Sequence, residues 1–218
     1  MNESNNEKKI DGYKLYAIFG VVVLILVVIG ATYAFYIAKK TAIFNGNAAG
    51  SDIRLNVEMI SISTDKNLMP INDTVSNLTQ KALGWNEDNN AYNSSWDEDT
   101  ACVSKSGFSS CQIYEVSVTN NTNVPMTFNI GVTSLVGEES PNIDVVKMAS
   151  KTSVTSNTSI KGNATGIVSN LTLQKGQTSD SYYVLVFVRN DPNGQTDKGT
   201  FTGVVTATAG AETVTAEF

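Results

Sequence analysis

The chain has 218 residues, 15 of them Lys or Arg and 21 Asp or Glu, giving a formal net charge of −6, and it contains no histidine. The acidic balance offers no basic surface for nucleic acid. The missing imidazoles exclude Ser-His-Asp and Cys-His nucleophiles and every His-based zinc motif, and the length allows one apolar segment plus one domain with a single core.

Residues 1–14 form a polar n-region carrying Lys8, Lys9 and Lys14, which the K/R balance of the flanks places on the cytoplasmic side. Residues 15–38 are uncharged. At about 1.5 Å per residue a helix of that length exceeds the roughly 30 Å hydrocarbon core, so it can cross a membrane.

Two readings fit this segment. As a cleavable signal, it has an h-region at Val21 to Ile29, and then Thr32 and Ala34 as the two small residues that signal peptidase requires, with the cut before Phe35. As an anchor, its apolar run continues through Ala38 and ends at Lys39 and Lys40. In the first case residues 39–50 are the linker of a freed β-prone strand whose apolar residues are Phe35, Tyr36, Ile37, Ile43 and Phe44. Such a strand can pair with a sheet edge of its own domain or of the next copy. In the second case the same residues hold the protein at the cell membrane, and the bulk of the chain lies outside in both.

The expected extracytoplasmic domain covers 51–218, and counting charges after Lys40 gives it a net −8. Ile53, Leu55, Val57 and Met59 alternate with polar residues, as in a half-buried strand. A long polar insertion follows at about 67–110. It contains Trp85 and Trp96 among acidic residues, which makes it a candidate ligand loop for a glycan or a protein. Glu87, Asp88, Asp97, Glu98 and Asp99 fit no calcium-loop spacing and read as a solvated acidic run.

Cys102 and Cys111 are the only cysteines. In an exported chain a short Ser- and Gly-containing loop between them predicts a disulfide, over a metal pair that lacks its other ligands or two free thiols.

Alternation returns at Tyr114, Val116 and Val118, at Phe128, Ile130 and Val132, and at Phe201, Val205 and Ala207. Ser181 to Arg189 is apolar on both faces, predicting a central strand covered on each side, and Asn193-Gly194 predicts a hairpin turn after it. Short strands with turn chemistry between them predict an all-β antiparallel sandwich or jelly roll. The acid pair Glu138 and Glu139 has no catalytic spacing, and Asp191, Asn193 and Asp197 lack the closing Glu of an EF-hand. Seven Asn-x-Ser/Thr triplets, Asn72 to Asn170, are what a chain this rich in Asn, Ser and Thr yields by chance. No cofactor and no catalytic residue is expected.

The junction Ile29-Gly-Ala-Thr-Tyr-Ala-Phe-Tyr, the following Thr41-Ala-Ile-Phe-Asn-Gly-Asn, the stretch Tyr114-Glu-Val-Ser-Val-Thr-Asn-Asn-Thr-Asn-Val-Pro-Met-Thr-Phe and Lys198-Gly-Thr-Phe-Thr-Gly-Val-Val-Thr-Ala-Thr-Ala together resemble the TasA/camelysin family of bacterial surface and biofilm-matrix proteins. The resemblance implies a jelly-roll subunit, exported through signal peptidase, that associates with itself or with other surface proteins in fibres or at the cell surface. The metalloprotease activity associated with camelysin does not carry over, because this chain has no histidine ligand.

Overall fold

A computed structural model describes residues 21, 23, 52–61, 68–137, 142–190 and 201–218. The chain divides into two compact units, Met1–Thr41 and Ala42–Phe218. Of the first only Val21 and Val23 are described, both helical and exposed. Among the described residues no helix is long and apolar enough to cross a membrane. The rest of 15–38, Thr32 and Ala34, and the strand residues Phe35, Tyr36, Ile37, Ile43 and Phe44 lie outside them, as do Glu138, Glu139 and the 191–200 turn.

The second unit is built of antiparallel β-sheets. In chain order its elements are β1 (Ile53–Met59), α1 (Val75–Leu83), β2 (Trp85–Asn86), β3 (Ala91–Tyr92), β4 (Gln112–Asn120), β5 (Met126–Val136), β6 (Ile143–Ser150), β7 (Ser153–Ser159), β8 (Asn163–Leu173), β9 (Tyr182–Val188), β10 (Thr202–Ala209) and β11 (Glu212–Glu217). One sheet has the order β1-β4-β9-β6-β7 and the other β11-β10-β5-β8, with β2 and β3 forming a separate small pair.

The period-two pattern sets which side chains meet. Leu55, Val57, Val116 and Val118 from the five-stranded sheet and Phe128, Ile130, Val205 and Ala207 from the four-stranded sheet are buried in one cluster between the sheets. Fully burying a side chain of this size contributes about 1.5–3 kcal/mol. One end of this layer is closed by Phe218. Its backbone pairs with Gly203 in both directions, its ring lies 4.8 Å from that of Tyr114, and a Cβ on Gly203 would come within 2.0 Å of the ring.

Position 120 fixes the turn from β4 to β5. The Asn120 side chain is wholly buried, donates to the carbonyls of Val124 and Leu173, and accepts from the Thr122 N–H and hydroxyl. One side chain thereby joins the turn to the end of β8.

The strand with two apolar faces, β9, is the middle strand of its sheet. Val184, Val186 and Val188 enter the layer between the sheets. Leu185 and Phe187 face the other way, into a second buried cluster. What covers that second face is residues 68–111, so the unit has three layers rather than two.

Candidate functional site

The covering segment contains every candidate ligand residue and both cysteines. It leaves the sheet after β1 and returns at β4. Ile71 runs beside β9, its N–H donating to the Val188 carbonyl and its carbonyl accepting from Asn190 N–H. Arg189 bonds the buried Asp144 carboxylate of β6 and lies 3.9 Å from Asp73, which ties the segment's start to the sheet.

Helix α1 then packs flat. Thr74 is its N-cap, with the Asn77 N–H donating to Thr74 Oγ1 at 3.3 Å, and Gly84 ends it with φ +80, its N–H reaching the Gln80 and Lys81 carbonyls. A side chain at 84 would be strained in φ and would place Cβ 1.7 Å from the Thr100 carbonyl oxygen. Leu78 and Ala82, four residues apart and so on one face, are fully buried with Ile113, Val146, Leu185 and Phe187. The expectation of an irregular polar stretch at 67–110 missed this helix, although Val75, Leu78, Ala82 and Leu83 recur at i, i+3, i+7 and i+8, an apolar stripe only two turns long amid Asn, Ser and Thr.

Cys102 and Cys111 are bonded, with Cα atoms 4.9 Å apart, as expected from the sequence. Both are fully buried in the same cluster. The peptide between them is a hairpin in which Val103 bridges Ser109, Ser104 N–H donates to the Phe108 carbonyl, and Phe108 stands exposed at the tip.

The two tryptophans are not free platforms. Trp85 pairs with Tyr92 across the β2–β3 hairpin, their rings edge-to-face at 5.2 Å, and Lys105 Nζ lies 5.1 Å from the centre of the Trp85 ring. Trp96 packs half-buried against the second cluster with Lys151 Nζ 4.7 Å from its ring centre. Each ring thus has an ammonium group within cation–π distance of its face. The acidic run forms exposed turns in which Asp97 accepts from the Asp99 and Ala101 N–H groups. Among the described residues no three His, Cys, Asp or Glu side chains gather as for a metal ion.

Two phenols are perturbed. Burial lifts the Tyr114 hydroxyl well above its ordinary value, and Tyr182 is raised by burial and then by the Asp180 charge. Both shifts hold the neutral form.

The sheet edges fall into two kinds. On one side of the unit β7 and β8 are irregular, with register breaks against β6 and β5, and Thr79 of α1 donates to the Val154 carbonyl on β7. On the other side β1 and β11 lie against each other and pair with β4 and β10 without a break. Because Asn121 N–H donates to the Asp52 carbonyl and Ile60 N–H to the Ile113 carbonyl, even-numbered residues of β1 bond to β4. Leu55 and Val57 therefore turn their N–H and C=O groups away from β4, to a side with no partner strand among the described residues. Sequence reasoning missed this feature, since edge position follows from topology rather than from local pattern.

No protein-family model and no curated protein matches the chain. Among solved structures it is similar to a family 123 glycoside hydrolase from Clostridium perfringens at 12% identity and TM-score 0.30, over 49% of this chain and only 20% of the hydrolase. It is also similar to a FixG-related protein from Vibrio parahaemolyticus at 10% identity and TM-score 0.30, over 76% of this chain and 92% of that one. The CooA pilin subunit of enterotoxigenic Escherichia coli is similar at 9% identity and TM-score 0.28, over 74% and 92%.

Proposed function

We propose that this chain is a non-enzymatic structural protein of a bacterial cell surface or extracellular matrix, exported by its N-terminal apolar segment and assembled into fibres by strand addition. In this reading the unit 42–218 is a jelly roll, supported by a chain that alternates between the two sheets from β4 to β6 and again from β7 to β10. Signal peptidase cuts after Ala34, and the membrane is a partner only until that cut.

The observation that carries the reading is the unbroken β1 edge. At Leu55 and Val57 its backbone groups point away from β4 and meet no partner strand among the described residues, β11 lies beside it, and the other side of the unit is bulged and partly covered by α1. A regular open edge is a liability that proteins normally blunt, unless pairing is its use. The strand proposed to fill it in the next copy is the segment bearing Phe35, Tyr36, Ile37, Ile43 and Phe44. Repeating that contact head to tail makes an open filament.

The test compares secreted protein beginning at Phe35 with protein beginning at Ser51, by electron microscopy and sedimentation. Fibres are expected only from the longer form. Fibres from both, or from neither, remove strand addition as the mechanism.

A further inference from the structure

The hairpin of β6 and β7 opens into a cleft. Val146 pairs with Ser159 and Met148 with Val154, so between these pairs β6 has one residue, Lys147, where β7 has four, Thr155 to Thr158. The surplus chain has to leave the sheet there. It closes on itself: Thr158 N–H donates to Ser156 Oγ at 3.1 Å, and Ser156 Oγ donates to Thr158 Oγ1 at 3.0 Å. The space left is a cleft of about 340 Å³ lined by Lys147, Thr155, Ser156, Thr158, Ile160 and Gly166. Gly166 keeps it open, since a Cβ at that position would come 2.8 Å from the Ile160 Cβ.

Lys147 is exposed, and it is the one charged residue of this lining among the described residues. Its Nζ lies 5.9 Å from the centre of the Tyr182 ring, and no described carboxylate pairs with it. The surrounding chain is basic within an otherwise acidic domain: residues 145–179 hold Lys147, Lys151, Lys161 and Lys175 and no Asp or Glu. Of the acids that bound this stretch, Asp144 is buried in its bond to Arg189, and Asp180 lies near enough to act on the Tyr182 hydroxyl.

We propose that this cleft binds a sugar unit carrying one anionic group, a carboxylate or a phosphate, as found in acidic glycans. Three features of the lining select that chemistry. The Lys147 ammonium offers its donors to an anion without first breaking an ion pair. The hydroxyls of Thr155, Ser156 and Thr158 can donate and accept, which suits a ring that itself bears hydroxyls. Ile160 and the bare backbone of Gly166 supply an apolar patch for the C–H face of such a ring. The volume is at the low end of the roughly 300–1,000 Å³ of small-ligand clefts, so it fits a unit of that size rather than a folded partner. The cleft is at β6 and β7, on the opposite side of its sheet from β1, so its failure is separable from that of strand addition.

The test is an NMR titration of the isotope-labelled full chain in detergent micelles with three probes that differ at one carbon: galacturonate, a galactose phosphate ester and galactose. Saturable shifts are expected at the amides of Lys147, Thr155 and Thr158 with one or both anionic sugars, and binding of galactose at least about tenfold weaker. Lys147→Gln is expected to weaken anion binding at least about tenfold and to leave the spectrum outside the cleft unchanged. Which anion binds tells a carboxylate-bearing glycan from a phosphate-bearing one. Equal binding of galactose, equal binding by Lys147→Gln, or no saturable shift with any probe overturns the proposal. So do shifts that spread over Lys151, Lys161 and Lys175 without saturating, which mean diffuse charge attraction. Shifts at Lys147 and at Asp97 to Asp99 on concentrating the protein alone mean that the cleft meets the acidic run of a second copy, and overturn it as well.

Discussion

The two outer faces of the β-unit start from the same strand geometry and finish differently. On the five-stranded sheet Ile113, Val146, Leu185 and Phe187 point outward and are buried under α1 and the disulfide hairpin. On the four-stranded sheet Thr127, Thr133, Thr172, Thr213 and Thr215 point outward and are exposed, with Thr206 buried between them. A strand can be apolar on both sides only where the chain supplies a second cover. The cover here supplies stability to one face, and the other face keeps polar side chains. If that division is right, substitutions on the two faces must differ several-fold in cost.

The sharpest comparison is Phe187→Ala against Thr213→Ala. Phe187 is fully buried in the second cluster, and its truncation leaves a cavity expected to cost about 3 to 5 kcal/mol. Thr213 is exposed, and its change is expected to stay within about 0.5 kcal/mol. Urea titrations of both variants measure the difference, and similar midpoints would mean that the covering segment is not part of the cooperative unit.

The disulfide gives the next largest effect. Replacing Cys102 and Cys111 with alanine is expected to cost about 2 to 3 kcal/mol, by returning chain entropy to the unfolded state. Because both cysteines belong to the cover and pack with α1, native hydrogen exchange should rise in α1 and not in β10 or β11. Uniform loss of protection would show instead that the cover and the sandwich unfold together.

Tyr114 gives the smallest effect and reports on the layer between the sheets. The folded state holds its phenol protonated, so its contribution is whole below the ordinary phenol value of about 10 and is lost as pH rises above it. Stability measured across about pH 9 to 11 should fall less steeply in Tyr114→Phe than in wild type. Equal slopes would place the alkaline sensitivity elsewhere, for instance at Tyr182.

Much of the sandwich was legible in the sequence, because period-two alternation at β1, β4, β5 and β10 reports burial on one face directly. The double-faced β9 was legible for the same reason, and so was the cysteine pair. β7 and β8 were not: Ser153–Ser159 holds one buried side chain among Ser, Thr and Asn, and bulges in both strands break the alternation. Helix α1 was signposted by its caps, Thr74 and Gly84, and by the short apolar stripe Val75, Leu78, Ala82 and Leu83. The burial of Trp96 was not legible, because it packs half-buried against the second cluster beside Lys151, which comes from a distant part of the chain.

The insertion of the whole cover between β1 and β4 has a consequence for the order of folding. These neighbours meet where Ile60 N–H donates to the Ile113 carbonyl and Ile113 N–H donates to Ser61 Oγ, yet about fifty residues separate them along the chain. Closing a loop of that length costs about 3 to 4 kcal/mol before any strand contact offsets it, while β6 with β7 or β10 with β11 close across short turns. Local pairs of this kind form sooner than distant ones. β1 is therefore expected to join last, and until it does the edge awaiting a partner belongs to β4.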